Sequence, residues 1–214
     1  AAEFLEKFLT ELKEETKFET LMESTFQIQM SQDLTCTACG LKKDPIYDET
    51  NVLTISLSEE EFPQMSLTEL IDRDLNNWGV SLHANCESWL CNKKRFHSSR
   101  CVTTAPSTLL LHVKRFRYTN HSEKRFDRIT IPPEYELKVM TPGETIARSV
   151  PYVLKAIVVH IGPDMNSGHY MCYVKGGDGK WTCCNDKRVF EVTYETIRER
   201  VEKKCYIIMY SRGD

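Results

Sequence analysis

A chain of 214 residues, 41% of them hydrophobic, is long enough to bury a core as one large or two small domains. Its 28 basic and 31 acidic residues leave a net charge of −3, which gives no general attraction to nucleic acid or to an anionic membrane. No run of about 18 apolar residues and no charged–apolar–small leader is present, so neither a bilayer span nor a secretory signal is expected.

From the start, Phe4, Leu5, Phe8, Leu9 and Leu12 recur at helical spacing, with Glu3, Glu6, Lys7, Lys13, Glu14 and Glu15 on the other side. This predicts a helix from Ala1 to about Lys17 whose apolar stripe needs a partner. Thr25 to Met30 and Val52 to Leu57 alternate as strands do. Ser66-Leu67-Thr68-Glu69 is a capping box that opens a short helix to about Leu75. Arg100 to Tyr118 is rich in strand formers, and the charged run from Arg117 to Arg128 reads as a solvated loop. Further strands are expected over Ile129 to Leu137 and Tyr152 to Ile161, with Pro132-Pro133 marking a turn or a sheet edge. No internal repeat or low-complexity tract interrupts this pattern.

The chain has nine cysteines, an odd number and partly clustered, which fits a reducing cytosolic or nuclear setting better than a secreted disulfide framework. Cys36 and Cys39 stand in C-x2-C spacing; Cys86 and Cys91 follow in C-x4-C spacing after 46 intervening residues (86 − 39 − 1). Two such pairs on turns supply the four soft ligands of a tetrahedral zinc site, with His83 or His97 as substitute ligands; idle or buried thiols are the alternative. Cys101, Cys172 and Cys205 fall in apolar runs and read as core residues.

The most informative stretch is Ser167-Gly168-His169-Tyr170-Met171-Cys172-Tyr173-Val174, answered by Trp181-Thr182-Cys183-Cys184-Asn185-Asp186 across Gly176-Gly177-Asp178-Gly179. The glycine cluster is a turn signal and the flanks favour strands, which predicts an antiparallel hairpin. With a five-residue loop from Lys175 to Gly179, Val174 faces Lys180, Tyr173 faces Trp181, Met171 faces Cys183 and His169 faces Asn185. An amide oxygen there accepts Nδ1–H of the imidazole and leaves Nε2 to take a proton from a nucleophile. A cysteine–histidine–asparagine set is one variant of the nucleophile–base–orienter arrangement, although the same pair also serves as a plain hairpin contact. Cys183 shares the face of His169, but a mid-strand cysteine lacks the electropositive helix end and oxyanion hole that an activated thiol uses.

Gly168-His169-Tyr170, the strand Tyr152 to His160 before it and Trp181…Asn185-Asp186…Val189 after it resemble the His box of the ubiquitin-specific proteases. Pro106 to Phe116 and the closing Cys205-Tyr206-Ile207-Ile208-Met209-Tyr210 agree in order, so the likeness runs through the whole chain. The resemblance implies an α+β, papain-like cysteine protease fold: an antiparallel palm sheet, a β fingers lobe and a partial helical thumb. It divides the chain into 1–19 (end of a thumb helix), 20–118 (fingers and entry to the palm) and 119–214 (palm with the His box). It implies hydrolysis of the bond after the ubiquitin C-terminal Gly-Gly, with His169 as general base and then acid, Asn185 orienting it and Asp186 supporting that orientation. Ser167, Gly168 and Tyr170 would line the channel for the tail, and Glu59, Glu60 and Glu61 are candidates for its arginines. Zinc on Cys36, Cys39, Cys86 and Cys91 would sit at the fingertip, with Ser88 where that family usually has the third cysteine. The Gly-Asn-x-Cys-Tyr box of the family does not occur here, so the nucleophile is expected from an upstream thumb segment and this chain by itself is expected to be inactive. The competing readings are a ubiquitin-binding module or pseudo-enzyme, and a zinc-bearing nucleic-acid binder; the acidic balance and the lack of a basic, aromatic-interleaved stripe oppose the last.

Overall fold

The computed structural model describes residues 2–15, 18–57, 64–75, 80–81, 85–91, 95–118, 122–140, 146–164 and 167–213. Glu59, Glu60, Glu61 and His83, named above as candidates, lie outside them. The chain opens with two helices, α1 (Ala2–Glu14) and α2 (Glu19–Phe26), and then enters β1 (Ile28–Cys36), β2 (Ile46–Thr50), β3 (Leu53–Ser56) and β4 (Gln64–Ser66). Helix α3 (Leu67–Leu75) is followed by β5 (Val80–Ser81), β6 (Phe96–Thr104), β7 (Thr108–Lys114), β8 (Phe116–Tyr118), β9 (Ser122–Lys124), β10 (Arg128–Thr130) and β11 (Glu134–Val139). The last part comprises β12 (Arg148–Ile161), β13 (His169–Lys175), β14 (Trp181–Asn185), β15 (Arg188–Val192), α4 (Tyr194–Lys204) and β16 (Cys205–Arg212).

Most strands join one sheet, whose main path runs β15-β14-β13-β12-β11-β6-β1-β2, with β16 linking β12 to β7 and β7 pairing with β3. Strand β12 is its spine. Residues 152–159 pair with β16, while 148–153 pair with β11 and 156–161 with β13. Since the β16 contacts overlap both of the others, β11 and β13 must share the opposite edge of β12 in succession. The core lies against α3 and α4: Leu67, Leu70, Ile71, Ile197 and Val201 join Ile55, Leu109, Leu111, Ile157, Val159, Tyr173 and Ile208 in one buried cluster. On the other face, Leu9 of α1 and Met22 of α2 bury against Val52 and Leu110, with Met209 alongside. The apolar stripe predicted for the first helix therefore has a partner, but Phe4 and Phe8 remain exposed on its outer side.

Several expectations shift. Thr25 and Phe26 end helix α2, so the first strand starts only at Ile28. The charged run from Arg117 to Arg128 is not a solvated loop throughout. It folds into the β8–β9 hairpin, with Phe116 opposite Lys124, and carries Lys124 and Arg125 into the interior. Helix α4 has no counterpart in the predicted elements; the Thr193 side chain caps it by accepting from the Thr196 N–H. Arg115 ties these parts together. Fully buried, it donates through Nε and both terminal nitrogens to the carbonyls of Cys205, Arg125, Asp127 and Glu202 and to Cys205 Sγ, a use for all five of its N–H groups. No described helix is long and apolar enough to cross a membrane.

Candidate active site

The site is built on the two turns that flank β14. Gly176 N–H donates to Lys180 C=O (2.8 Å) and Gly179 N–H to Gly176 C=O (3.0 Å), so the β13–β14 connection is the three-residue loop 177–179. Gly179 sits at φ 83°, the left-handed position that such a loop requires at its last residue. This loop is two residues shorter than the one expected. Tyr173 faces Cys183 and Lys175 faces Trp181, and continuing that register sets Asn185 opposite Met171 and diagonal to His169. A slip of two keeps every side chain on its face, because the period of a strand is two. The diagonal imidazole and carboxamide still meet: His169 Nε2 donates to Asn185 Oδ1 at 2.5 Å.

That geometry corrects one atom of the expected arrangement. Nε2, not Nδ1, is engaged by Asn185, so Nδ1 is the ring nitrogen presented to an incoming proton. Asp186 stands behind this pair. It occupies the first place of the two-residue β14–β15 turn at φ 51°, with Oδ2 3.9 Å from His169 Nε2. The Asp186 side chain is 77% exposed and that of His169 43%, so the bond to Asn185 fixes the ring while Asp186 adds a longer, water-screened attraction to the imidazolium.

The loop that delivers His169 is held from below. Gly162 and Gly168 mark its two ends. A Cβ on Gly162 would lie 2.5 Å from Ser167 O, and one on Gly168 would lie 2.3 Å from His160 Nε2 and 2.6 Å from Ile161 O. Ser167 N–H and Oγ both donate to Asp164 Oδ1 (2.8 and 3.0 Å), and the Tyr170 ring leans on His160 at 4.6 Å while remaining partly exposed. Beneath them Lys124 Nζ reaches His160 Nδ1 (2.9 Å), His160 O (2.8 Å) and Gly162 O (2.8 Å). Burial holds the His160 imidazole below its usual range and lowers Lys124 to about 8. Neither residue stood out in the sequence, because the charged run around Lys124 gives no sign that it packs inward.

Among the described residues, no cysteine is hydrogen-bonded to His169, whose side-chain partners are Asn185 and Asp186. Cys183 is 1% exposed in the core and burial pushes its thiol up; Cys172, directly opposite Cys184, is likewise raised, to about 11. Cys205 is buried against Arg115, whereas Cys101 is only half-buried and exchanges a hydrogen bond with Ser31.

The other four cysteines converge at the far end of β1. Cys36 Sγ lies 3.8 Å from Cys91 Sγ, Cys39 Sγ lies 3.5 Å from Cys86 Sγ, and all four sulfurs fall within 4.8 Å of one another. Gly40 at φ 73° closes the first knuckle, and the Cys91 N–H bond to Ser88 C=O closes the second. The wider spacing of the second pair thus takes the form of an extra turn that carries Trp89 and Leu90 outward. His97 is not among the converging ligands. Four sulfurs this close can hold a metal ion.

An α+β chain that carries an imidazole on an amide oxygen at the mouth of a sheet hairpin has the architecture of the papain-like cysteine peptidases. Within that class the match is specific: a family model described as ubiquitin carboxyl-terminal hydrolase covers residues 1–210, and the chain belongs to this family. Among curated relatives it is 29% identical to ubiquitin carboxyl-terminal hydrolase 23 of Arabidopsis thaliana, over 83% of this chain and 19% of that protein. It is 30% identical to ubiquitin carboxyl-terminal hydrolase 19 of the same plant, over 90% of this chain and 28% of that protein. The chain thus spans less than a third of the length of either. Among solved structures, the SAGA Ubp8/Sgf11/Sus1/Sgf73 DUB module bound to ubiquitin aldehyde superimposes with a TM-score of 0.85 at 20% identity, over all of this chain and 49% of that one.

Proposed function

We propose that this chain is the fingers and palm portion of a ubiquitin-specific thiol protease and supplies the base half of its catalytic site. The observation that carries the reading is the His169–Asn185 bond at the edge of an open hairpin, with Asp186 behind it. His169 Nδ1 takes the proton of a cysteine thiol; the thiolate attacks the carbonyl of the ubiquitin C-terminal glycine, and the same nitrogen protonates the leaving lysine amine. Asn185 keeps the ring in the tautomer that leaves Nδ1 unprotonated before attack. Gly168, without a side chain, and Ser167 and Tyr170 beside it suit a narrow channel for the Gly-Gly tail. We read residues 1–19 as the end of the thumb, 20–118 as fingers and 119–214 as palm, with the nucleophile contributed by residues outside these 214. By itself the chain then acts as a ubiquitin-binding module.

Zinc suits the fingertip. Tetrahedral coordination with Zn–S bonds near 2.3 Å sets the sulfurs about 3.8 Å apart, close to the separations of Cys36, Cys39, Cys86 and Cys91. There the metal would serve as a cross-link, joining the end of β1 to the segment that leads into β6. Free thiols throughout support a cytosolic or nuclear location. A ubiquitin carrying a C-terminal thiol-reactive warhead tests the catalytic reading. The chain alone is expected to remain unlabelled while the complete protein is labelled at a cysteine outside these residues. Labelling of Cys183 would overturn the assignment.

A further inference from the structure

We propose that Lys124 is a positioning residue for the reaction: its buried ammonium fastens the His160–Gly162 end of the 162–168 loop and, through the His160 ring, supports the Gly168 end, and thereby seats Gly168 and His169 on the sheet. The inference rests on the protease reading above. All three hydrogens of the ammonium are placed, on His160 Nδ1, His160 O and Gly162 O. None of these acceptors is a carboxylate, so the cation is not there as half of an ion pair. It is instead enclosed by the rings of Phe116 and Phe126, with Nζ 5.8 and 5.3 Å from their centroids, and Lys124 as a whole is 5% exposed. A methionine would fill that space without the cost of burying a charge. What a methionine cannot do is gather two carbonyls and an imidazole at one point.

The two carbonyls fix where the loop begins, and the imidazole supports where it ends. Donation by Lys124 to His160 Nδ1 makes that nitrogen an acceptor and leaves the proton of the neutral ring on Nε2, the atom that occupies the place where a Cβ on Gly168 would stand. Gly162, held through its carbonyl, abuts Ser167 and Gly168 with no space for even a methyl group. Release of the ammonium therefore frees both the ring on which Gly168 rests and the strand end from which the loop departs. His169 follows Gly168 directly, and its 2.5 Å bond to Asn185 tolerates little displacement.

The clamp also has a pH window. Burial first, then Arg115 and Lys204, lower the Lys124 ammonium to about 8, while Asp164 opposes the shift. The remaining groups around it are His160 on β12, held neutral, and the Tyr170 and Tyr206 rings that pack on His160. Above about pH 8 the amine loses one donor and its charge, and the clamp loosens.

The test is the pH dependence of turnover in the complete protein, with a ubiquitin C-terminal amide as substrate. Misplacement of a catalytic group by about 1 Å costs on the order of 100-fold in rate. Lys124→Met is therefore expected to lower kcat about 10- to 100-fold and leave KM within about threefold, because the loop is mispositioned while the ubiquitin body still binds. The unaltered protein is expected to show an alkaline limb near pH 8, and the substitution is expected to remove it. A kcat within twofold of the unaltered protein, or an alkaline limb that survives the substitution, overturns the proposal. Should Lys124→Met not fold, the unaltered protein decides: the Lys124 Nζ titration followed by nitrogen NMR and the alkaline limb of kcat must share one midpoint, and different midpoints overturn it. If no ubiquitin amide is cleaved at all, the protease reading fails. The clamp is then judged by the His169 ring nitrogens, whose resonances must move in Lys124→Met; unmoved resonances overturn it.

Discussion

At the hydrogen-bond distance of Asn185 and the longer reach of Asp186, two neighbouring residues offer His169 very different help. The carboxamide touches Nε2 at 2.5 Å, whereas the carboxylate lies at 3.9 Å and is mostly in water. Asn185→Ala removes the contact that selects the tautomer and is expected to lower kcat/KM of the complete protein by about 100-fold, with the ubiquitin Kd little changed. Asp186→Ala removes only a screened attraction to the imidazolium, so a loss of about 10-fold or less is expected. Steady-state kinetics on both variants checks the order; an Asp186→Ala defect larger than that of Asn185→Ala would reverse the assignment of the main orienter. Asp186 was singled out by the family resemblance; the closeness of Asn185 to His169 was legible in the sequence, because three- and five-residue bends leave the same positions on one face. The ring nitrogen was not. A direct cross-strand pair and a diagonal one differ by two residues of register, and a three-residue loop (177–179) and a five-residue loop (175–179) both place the bend on the glycine cluster.

Among the elements, most of those whose patterns stand alone were read correctly, although the alternation of Thr25 to Met30 masked the end of α2; those that depend on neighbours were not. Alternation in Leu53 to Ser56, the capping box before α3 and the apolar run of β12 each announce themselves locally. Helix α4 buries only Ile197, Val201 and Glu202 within a strongly charged stretch, so its amphipathic stripe is too thin to register without β10 and β12 beside it. Hairpin β8–β9 was hidden for a related reason. Lys124 and Arg125 carry charge, and burial of a charge is unreadable until the carbonyls, rings and carboxylate that satisfy it are in place. The four-cysteine cluster lies between these cases, since cysteine spacing proposes the site and convergence of the four sulfurs supports it. Metal analysis of the purified protein is expected to give one zinc per chain. Cys39→Ser is expected to drop that well below one and to loosen the end of β1 and the start of β6, seen as faster amide exchange confined to the tip. Full zinc content in Cys39→Ser would remove that cysteine from the ligand set.

For the molecule as a whole, the fold places a histidine where protonation and packing conflict. His112 lies on β7, in the Leu109 to Arg115 run, with its ring edge-on to Tyr206 at 4.8 Å. Its Nε2 is buried and has no hydrogen-bond partner. Burial, helped by Lys114, lowers its imidazole from 6.5 to about 4. The sign follows directly: an unfolded chain binds a proton at this residue below about pH 6.5, while the folded chain refuses it until about pH 4. Stability contributed by the neutral ring is therefore complete above pH 6.5 and is lost as pH falls through that window. A full shift of this size corresponds to about 3 kcal/mol, a large part of the marginal stability of a domain. His160, also held low by burial, adds to the same slope. Strands β7, β16 and β12 are consecutive in the sheet, so the effect belongs to the global transition rather than to a fraying edge. Denaturant titration at pH 7 and pH 5 is expected to show a clear fall in midpoint for the unaltered chain. In His112→Phe, which keeps a ring in the site but cannot take a proton, the fall should be smaller by about half or more and only the His160 contribution should remain. If both proteins lose the same stability between the two pH values, the acid sensitivity of the sheet arises elsewhere.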